Sequence, residues 1–310
     1  MINIVLVGGA KRITLVQQIS DIVGSINEEV SFISVERDLG FYPISKYAQV
    51  MEGPSFQDEK FSLYLKNLVN TYSSLPIACM DAALPFISEL RGRIYENVQV
   101  IAHTTTAAEL CLDKRLTEKF CQESGIQTPA TYLPNQAMND DVIIKPAKGF
   151  GGRGIIICAV DNHKVVPDYG PDYIYQKMII GQETTHDLYI SKGGEFIASS
   201  RDRLAVVDGE VDHCVVREPH NLEMEIFRKI VNTGLFWGPI TVQTIATQTG
   251  ECILIEINAR LGGGVTASIA AGIPIIEKYL EEAFGIKFPV RQIRKLEMKR
   301  ARNDFYRFID

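Results

Sequence analysis

Three short segments of the sequence hold residue types whose spacing could do chemistry. The first reads Lys145-Pro146-Ala147-Lys148-Gly149-Phe150-Gly151-Gly152-Arg153-Gly154. A strand ending in lysine runs into a glycine-rich turn. Glycines let backbone N–H groups converge on an anion, and lysine adds a point charge. A triphosphate tail requires that arrangement, although an ordinary glycine-rich hairpin has the same residues. No Gly-Lys-Ser/Thr opens a helix here, so this is not a Walker A loop. The second segment joins Gln243 to Glu256 and Asn258. Residues two apart on a strand share a face, and a turn over residues 248–250 folds Gln243 back almost opposite Glu256. Three oxygen donors then converge, as a hard cation such as Mg²⁺ needs. A polar strand face in solvent is the alternative, but Ile253, Leu254, Ile255 and Ile257 read as buried, and a lone carboxylate among them would be costly. The third segment, Ala259-Arg260-Leu261-Gly262-Gly263-Gly264-Val265-Thr266, sets an arginine and glycines ahead of a helix as a second anion cradle. Two anion cradles flanking an oxygen triad point to phosphoryl transfer.

Elements must position these groups. The opening apolar run lacks a basic lead and meets Gly8-Gly9, so it reads as a buried strand rather than a signal peptide. Strands are expected over 4–7, 30–35, near 76–79 and over 98–101. Helical spacing falls on Leu15, Val16, Ile19, Ile22 and Val23, and again over 58–72. That alternation predicts a parallel sheet. The turn Gly8-Gly9-Ala10-Lys11-Arg12 lacks the G-x-G-x-x-G fingerprint, which argues against NAD. Glu36 closes the second strand as a solvated carboxylate or part of a small-ligand pocket. Residues 104–125 are expected as one helix, capped at Thr104 and ended by Gly125. Short strands follow over 142–145, 155–160, 173–179, 188–191, 196–200 and 211–216, with hairpin turns at Gly193-Gly194 and Asp208-Gly209. A helix near 222–231 precedes a last hairpin, 240–247 with 252–258. Helices close the fold around 265–271 and 275–284, and the basic last twenty residues read as a docked tail or terminal helix.

Composition bounds the function. The 310 residues suggest about two compact units, and 46% hydrophobic content supplies a core. Net charge −6 argues against a general nucleic-acid binder. No apolar stretch approaches the roughly 20 residues of a membrane helix. The six cysteines (Cys79, Cys111, Cys121, Cys158, Cys214, Cys252) form no Cys-x-x-Cys and read as reduced, buried thiols in a cytoplasmic protein.

The order Asp113-Lys114, then residues 142–146 with their glycine loop, then Gly181-Gln182-Glu183, then Gly238-Pro239-Ile240-Thr241-Val242-Gln243, then Glu256-Ile257-Asn258-Ala259-Arg260 resembles the ATP-grasp superfamily. Within it the chain looks most like the carbamoyl-phosphate-synthase-large-subunit-like carboxylate–amine ligases, over roughly residues 1–290. The resemblance implies an α/β and α+β architecture. A Rossmann-like pre-ATP-grasp domain (1–103) precedes a two-lobed ATP-grasp domain (104–180 and 181–290), and a basic tail follows (291–310).

For the site, the resemblance implies that Lys114 and Lys145 reach the ATP phosphates. Lys148, Gly149, Gly151, Gly152 and Gly154 belong to the loop that closes over them. Gln176, Lys177 and Met178 form the hinge that reads adenine through backbone groups. Glu183 takes the ribose, and Gln243, Glu256 and Asn258 hold Mg²⁺, as one ion or two, with Mn²⁺ able to substitute. Arg260 and Arg203, with Lys145, neutralise charge at the transferred phosphate. Family members often have an acid where Gln176 stands. The implied reaction couples a small-molecule carboxylate to an amine through an acyl-phosphate, releasing ADP and phosphate. A non-catalytic ATP-binding module and a carbamoyl-phosphate-synthase-like subunit are the alternatives. Relatives are often homodimers, and the oligomeric state stays open. The substrate pocket is expected near residues 8–12, Asp81 and residues 260–266. Asp187 has a structural role on this reading, and His103, His186 and His213 are packing or surface residues.

Overall fold

A computed structural model describes every residue except 136–139, 150–153, 160–165, 208, 302 and 308–310. β1 (Ile2–Val7) is apolar almost throughout, as a strand covered on both faces must be. Its Ile2, Ile4 and Leu6 pack on one side with Leu15, Val16 and Ile19 of α1 (Ile13–Gly24), while Val5 and Val7 pack on the other. β2 (Val30–Glu36), β3 (Gln49–Glu52), α2 (Lys60–Thr71), β4 (Leu75–Ala78) and α3 (Leu84–Ser88) complete this unit. The sheet order is β3-β2-β1-β4, all parallel. Its fourth member is β3, an edge strand too weakly apolar to stand out. Residues 98–101, expected in that role, instead contribute β6 (Val98–Gln99), which pairs antiparallel with β5 (Ile94–Tyr95). Val100 there donates to Arg93 O, so the hairpin and not the sheet takes the segment's hydrogen bonds.

The expected single helix over 104–125 is two: α4 (Thr105–Leu112) and α5 (Lys114–Glu123). Asp113 is extended (φ −128°, ψ 113°), and its carboxylate accepts from the Arg115 N–H. A residue that caps a new helix cannot also continue the old one. β7 (Thr131–Tyr132), β8 (Val142–Pro146), β9 (Ile156–Cys158) and β10 (Tyr173–Lys177) then form an antiparallel sheet, β7-β10-β8-β9. β9 is shorter than the expected 155–160, whose last residue lies outside the described residues. This sheet has its own small core of Val142, Ile144, Val166 and Tyr175.

β11 (Gly181–Ile190), β12 (Phe196–Val207), β13 (Glu210–Arg217), α6 (Asn221–Asn232), β14 (Gly238–Thr247), β15 (Cys252–Asn258), α7 (Val265–Ala270), α8 (Ile275–Phe284) and β16 (Leu296–Lys299) make the rest. The antiparallel order is β15-β14-β11-β12-β13-β16. The basic tail docks as an edge strand on β13 rather than as a helix, because the open edge of β13 offers its backbone groups a ladder. Leu188, Ile240, Val242 and Leu254 of the larger sheet share a cluster with Val5, Val7 and Phe61, so the parallel unit and this sheet are packed into one core. Among the described residues no helix is long and apolar enough to cross a membrane, and all six cysteines are free.

Candidate active site

The β14–β15 hairpin places the oxygen triad. Gln243 stands opposite Glu256 and Thr241 opposite Asn258, with a bulge at Ile255 just beyond. A bulge bends its strand and re-aims the neighbouring side chains. Burial pushes the Glu256 carboxyl up; Lys114, Lys145 and Arg260 oppose that, while Asp81 adds to it. Glu256 therefore lies amid three cations and one further carboxylate. Among the described residues no trio of His, Cys, Asp or Glu is placed to hold a metal. The set here is one carboxylate with two amides, which suits a hard cation that also takes phosphate oxygens.

Lys145 is buried at 7% exposure on β8. Burial pulls its ammonium down to about 8, with Glu256 partly restoring it. Lys114, the first residue of α5, donates its backbone N–H to Ala147 O (2.9 Å) and its Nζ to Gly149 O (3.0 Å). The break at Asp113 thus lays the start of α5 beside the glycine-rich loop. Of that loop, Lys148, Gly149 and Gly154 are described, with Gly154 at φ +73°; Gly151 and Gly152 lie outside the described residues. One cleft is lined by Lys114, Glu118, Lys145, Gln176 and Glu256. Gln176 is 5% exposed, and its side-chain carbonyl oxygen has no partner among the described residues. A buried orphan acceptor aimed into a cleft fits a ligand that brings a donor, such as an adenine amino group. The hinge backbone has two of its N–H groups engaged within the protein. Lys177 N–H donates to Ala130 O and Met178 N–H to Asp141 O. Lys177 Nζ pairs with Asp140 at 2.9 Å.

Two expected ligand-binding side chains hold each other. The Arg203 guanidinium pairs with the Glu183 carboxylate across β12 and β11. Arg260 makes a two-pronged pair with Asp81 at 2.6 and 2.7 Å. Burial disfavours the Arg260 charge, and the Asp81 hydrogen bonds outweigh it and raise its pKa. Thr241 Oγ1 fixes the Arg260 carbonyl at 3.0 Å. The Asp81–Arg260 pair spans 179 residues and joins the segment after β4 to the turn after the triad, so Asp81 does stand beside the Arg260 turn as expected. No local pattern reveals such a partner. Arg201, on the same strand as Arg203, is buried at 1% against Asp187. Ser268 also donates to Asp187, which gives Asp187 the structural place expected of it. Glu36 accepts from Ser34 Oγ at 2.6 Å and from the Gly9 and Ala10 N–H groups. The carboxylate thereby fills the glycine turn itself, leaving no cradle there for a nucleotide phosphate.

His103 and His186 have structural partners. Trp237 N–H donates to His103 Nδ1, so its Nε2 carries the proton and donates to Pro239 O. Ser200 Oγ gives its proton to Glu223, so His186 Nδ1 donates to Ser200 and its Nε2 accepts from Thr244.

Residues 111–264 match the model of the ATP-grasp domain. Over those residues, just under half of its length, the chain carries an ATP-grasp domain. No curated protein sequence matches it. Among solved structures, N5-carboxyaminoimidazole ribonucleotide synthetase from Thermotoga maritima superposes with a TM-score of 0.66 at 16% identity, over 94% of this chain and 78% of that one. N5-carboxyaminoimidazole synthetase from Staphylococcus aureus complexed with ADP gives 0.70 at 12% identity, over 96% and 82%. L-amino acid ligase from Bacillus licheniformis gives 0.66 at 16%, over 95% and 78%. At such identities the likeness is one of fold.

Proposed function

We propose that the protein is an ATP-dependent carboxylate–amine ligase. The observation that supports this best is the site around Glu256. Lys114 and Lys145, from separate elements, line one cleft with Glu256, and their charges and that of Arg260 act on its carboxylate. Similar folds belong to an ADP-bound synthetase and to an amino acid ligase. In this reading residues 104–180 and 181–290 are the lobes that hold ATP between them. Gln176 receives the adenine amino group, Glu183 lies toward the ribose, and Lys114, Lys145 and the loop 148–154 take the phosphates. Gln243, Glu256 and Asn258 would hold Mg²⁺, which would supply positive charge against the phosphates when bound.

The chemistry needs no protein nucleophile. A substrate carboxylate oxygen attacks the γ-phosphorus, and the bond to the bridging oxygen breaks to release ADP. The amine nitrogen then attacks the acyl carbon, loses a proton, and displaces phosphate as the C–N bond forms. Lys145, Arg203 and Arg260 offset the charge that builds on the transferred group, the main contribution available in phosphoryl transfer. Asp81 orients Arg260 for that task.

The acyl-phosphate is the testable step. With the substrate carboxylate labelled by heavy oxygen, one labelled oxygen per turnover should appear in the released phosphate. ADP formation with unlabelled phosphate would rule the acyl-phosphate out.

A further inference from the structure

Arg12 stands where the N-terminal unit faces the loop of residues 262–264. It follows the glycine turn after β1 and is the N-cap residue of α1. Its Nη2 donates to Cys79 O at 3.0 Å. A methyl group built on Gly263 would lie 3.6 Å from Arg12 Nη1 and 3.8 Å from Glu210 Oε1. Gln18, further along α1, donates to Thr266 O in the first turn of α7 at 2.8 Å, so α1 is tied to the helix that follows the glycine loop. Arg260 is near as well, since both Arg12 and Arg260 act on the Cys79 thiol.

The arginines around this space differ in one respect. Arg260 is neutralised by Asp81, Arg201 by Asp187, Arg203 by Glu183 and Arg300 by Glu210. Arg12 has no ion-pair partner among the described residues; its side chain donates to the Cys79 carbonyl and lies against the Cys79 thiol, and neither group is an anion. A guanidinium carries five N–H donors in a planar fork shaped for carboxylate or phosphate. Glu36 cannot be its counter-ion, because that carboxylate is already committed to Ser34 and the turn N–H groups. Glu210 is engaged by Arg300 at 2.6 Å, and Arg300 also reaches Gly263 O, which walls the space on its far side.

We propose that Arg12 is a specificity residue that binds an anionic group of the substrate, a carboxylate or phosphate additional to the carboxylate that is activated. This rests on the ligase reading above and narrows its substrate class to acids bearing a second anion.

The test is calorimetric binding of dicarboxylic and phosphorylated acids, each beside its neutral counterpart: glutamate with glutamine, aspartate with asparagine, O-phosphoserine with serine. Wild type, Arg12→Gln and Arg12→Lys are compared, each with its melting temperature and its affinity for ADP. At least one anionic member should bind wild type tenfold or more tighter than its partner. Arg12→Gln should abolish that preference without altering ADP binding, and Arg12→Lys should restore part of it. The preferred pair tells carboxylate from phosphate. No preference in any pair, or a preference that survives Arg12→Gln, would overturn the proposal. A preference that depends on Arg12, with no ADP released from MgATP, would instead overturn the ligase reading and leave the anion site standing.

Discussion

At the scale of single residues the account turns on charge within a buried cleft. Glu256 is held near Lys114, Lys145 and Arg260, and replacing it by an isosteric amide removes the one carboxylate of the triad. Glu256→Gln should lower kcat by ~10³-fold or more, the scale of losing a main charge-stabilising group, with little change in melting temperature; normal ADP release by that variant would remove the metal assignment. Lys145 gives a pH signature. Its ammonium is pulled down to about 8 by burial, and only the charged form offsets phosphate charge. The kcat/KM for ATP should therefore fall as pH rises through about 8, and Lys145→Arg should push that limb to higher pH. Strand alternation alone made Gln243, Glu256 and Asn258 legible, since period two and one turn fix their facing. The Asp81–Arg260 and Glu183–Arg203 pairs were not legible as pairs. Each joins elements distant in sequence, and only the folded register brings them together.

At the scale of elements, the break between α4 and α5 matters most. A run of apolar positions at helical spacing hid it, because both helices share the same buried side. The signal was Asp113, a residue that caps well and serves poorly in mid-helix. Its carboxylate accepts from Arg115 N–H and pairs with the Arg115 side chain at 2.6 Å. The cap sets the position from which Lys114 reaches Gly149. Asp113→Ala should cost ~1 kcal/mol of stability, read by denaturant unfolding, and should raise KM for ATP more than it lowers kcat. An unchanged KM would mean that α5 keeps its place without the cap. The tail shows the opposite limit. Residues 291–310 are basic with scattered apolar positions, a pattern that fits a helix or a strand equally. The unpaired edge of β13 decided it.

At the scale of the whole molecule, the parallel unit and the six-stranded sheet share clusters of buried residues, while the small sheet has a core of its own. The apolar run of β1 and the helical stripe of α1 made the first unit readable. The joint burial was not readable, because it depends on which faces meet. Buried polar groups within these layers tie stability to pH. Burial holds the His103 and His186 imidazoles down to about 4, below the ordinary 6.5. The unfolded chain then binds more protons between those values, so stability present above pH 6.5 is lost as pH falls toward 4. Burial alone would raise the Glu223 carboxyl, but Arg217 holds it down at about 2, and its contribution is lost as pH falls below the ordinary 4.5. The melting temperature should accordingly decline from about pH 6.5 downward and steepen below 4.5, and His186→Gln should flatten the first part of that decline. The central claim, an ATP-driven joining of carboxylate and amine, is tested most directly by ADP release with MgATP and a panel of amino acids supplied singly and in pairs, with mass detection of product. The account predicts ADP formation that requires a carboxylate and an amine, with a product mass equal to their condensation. ATP binding without turnover across the panel, or ADP release that no added carboxylate stimulates, would contradict it.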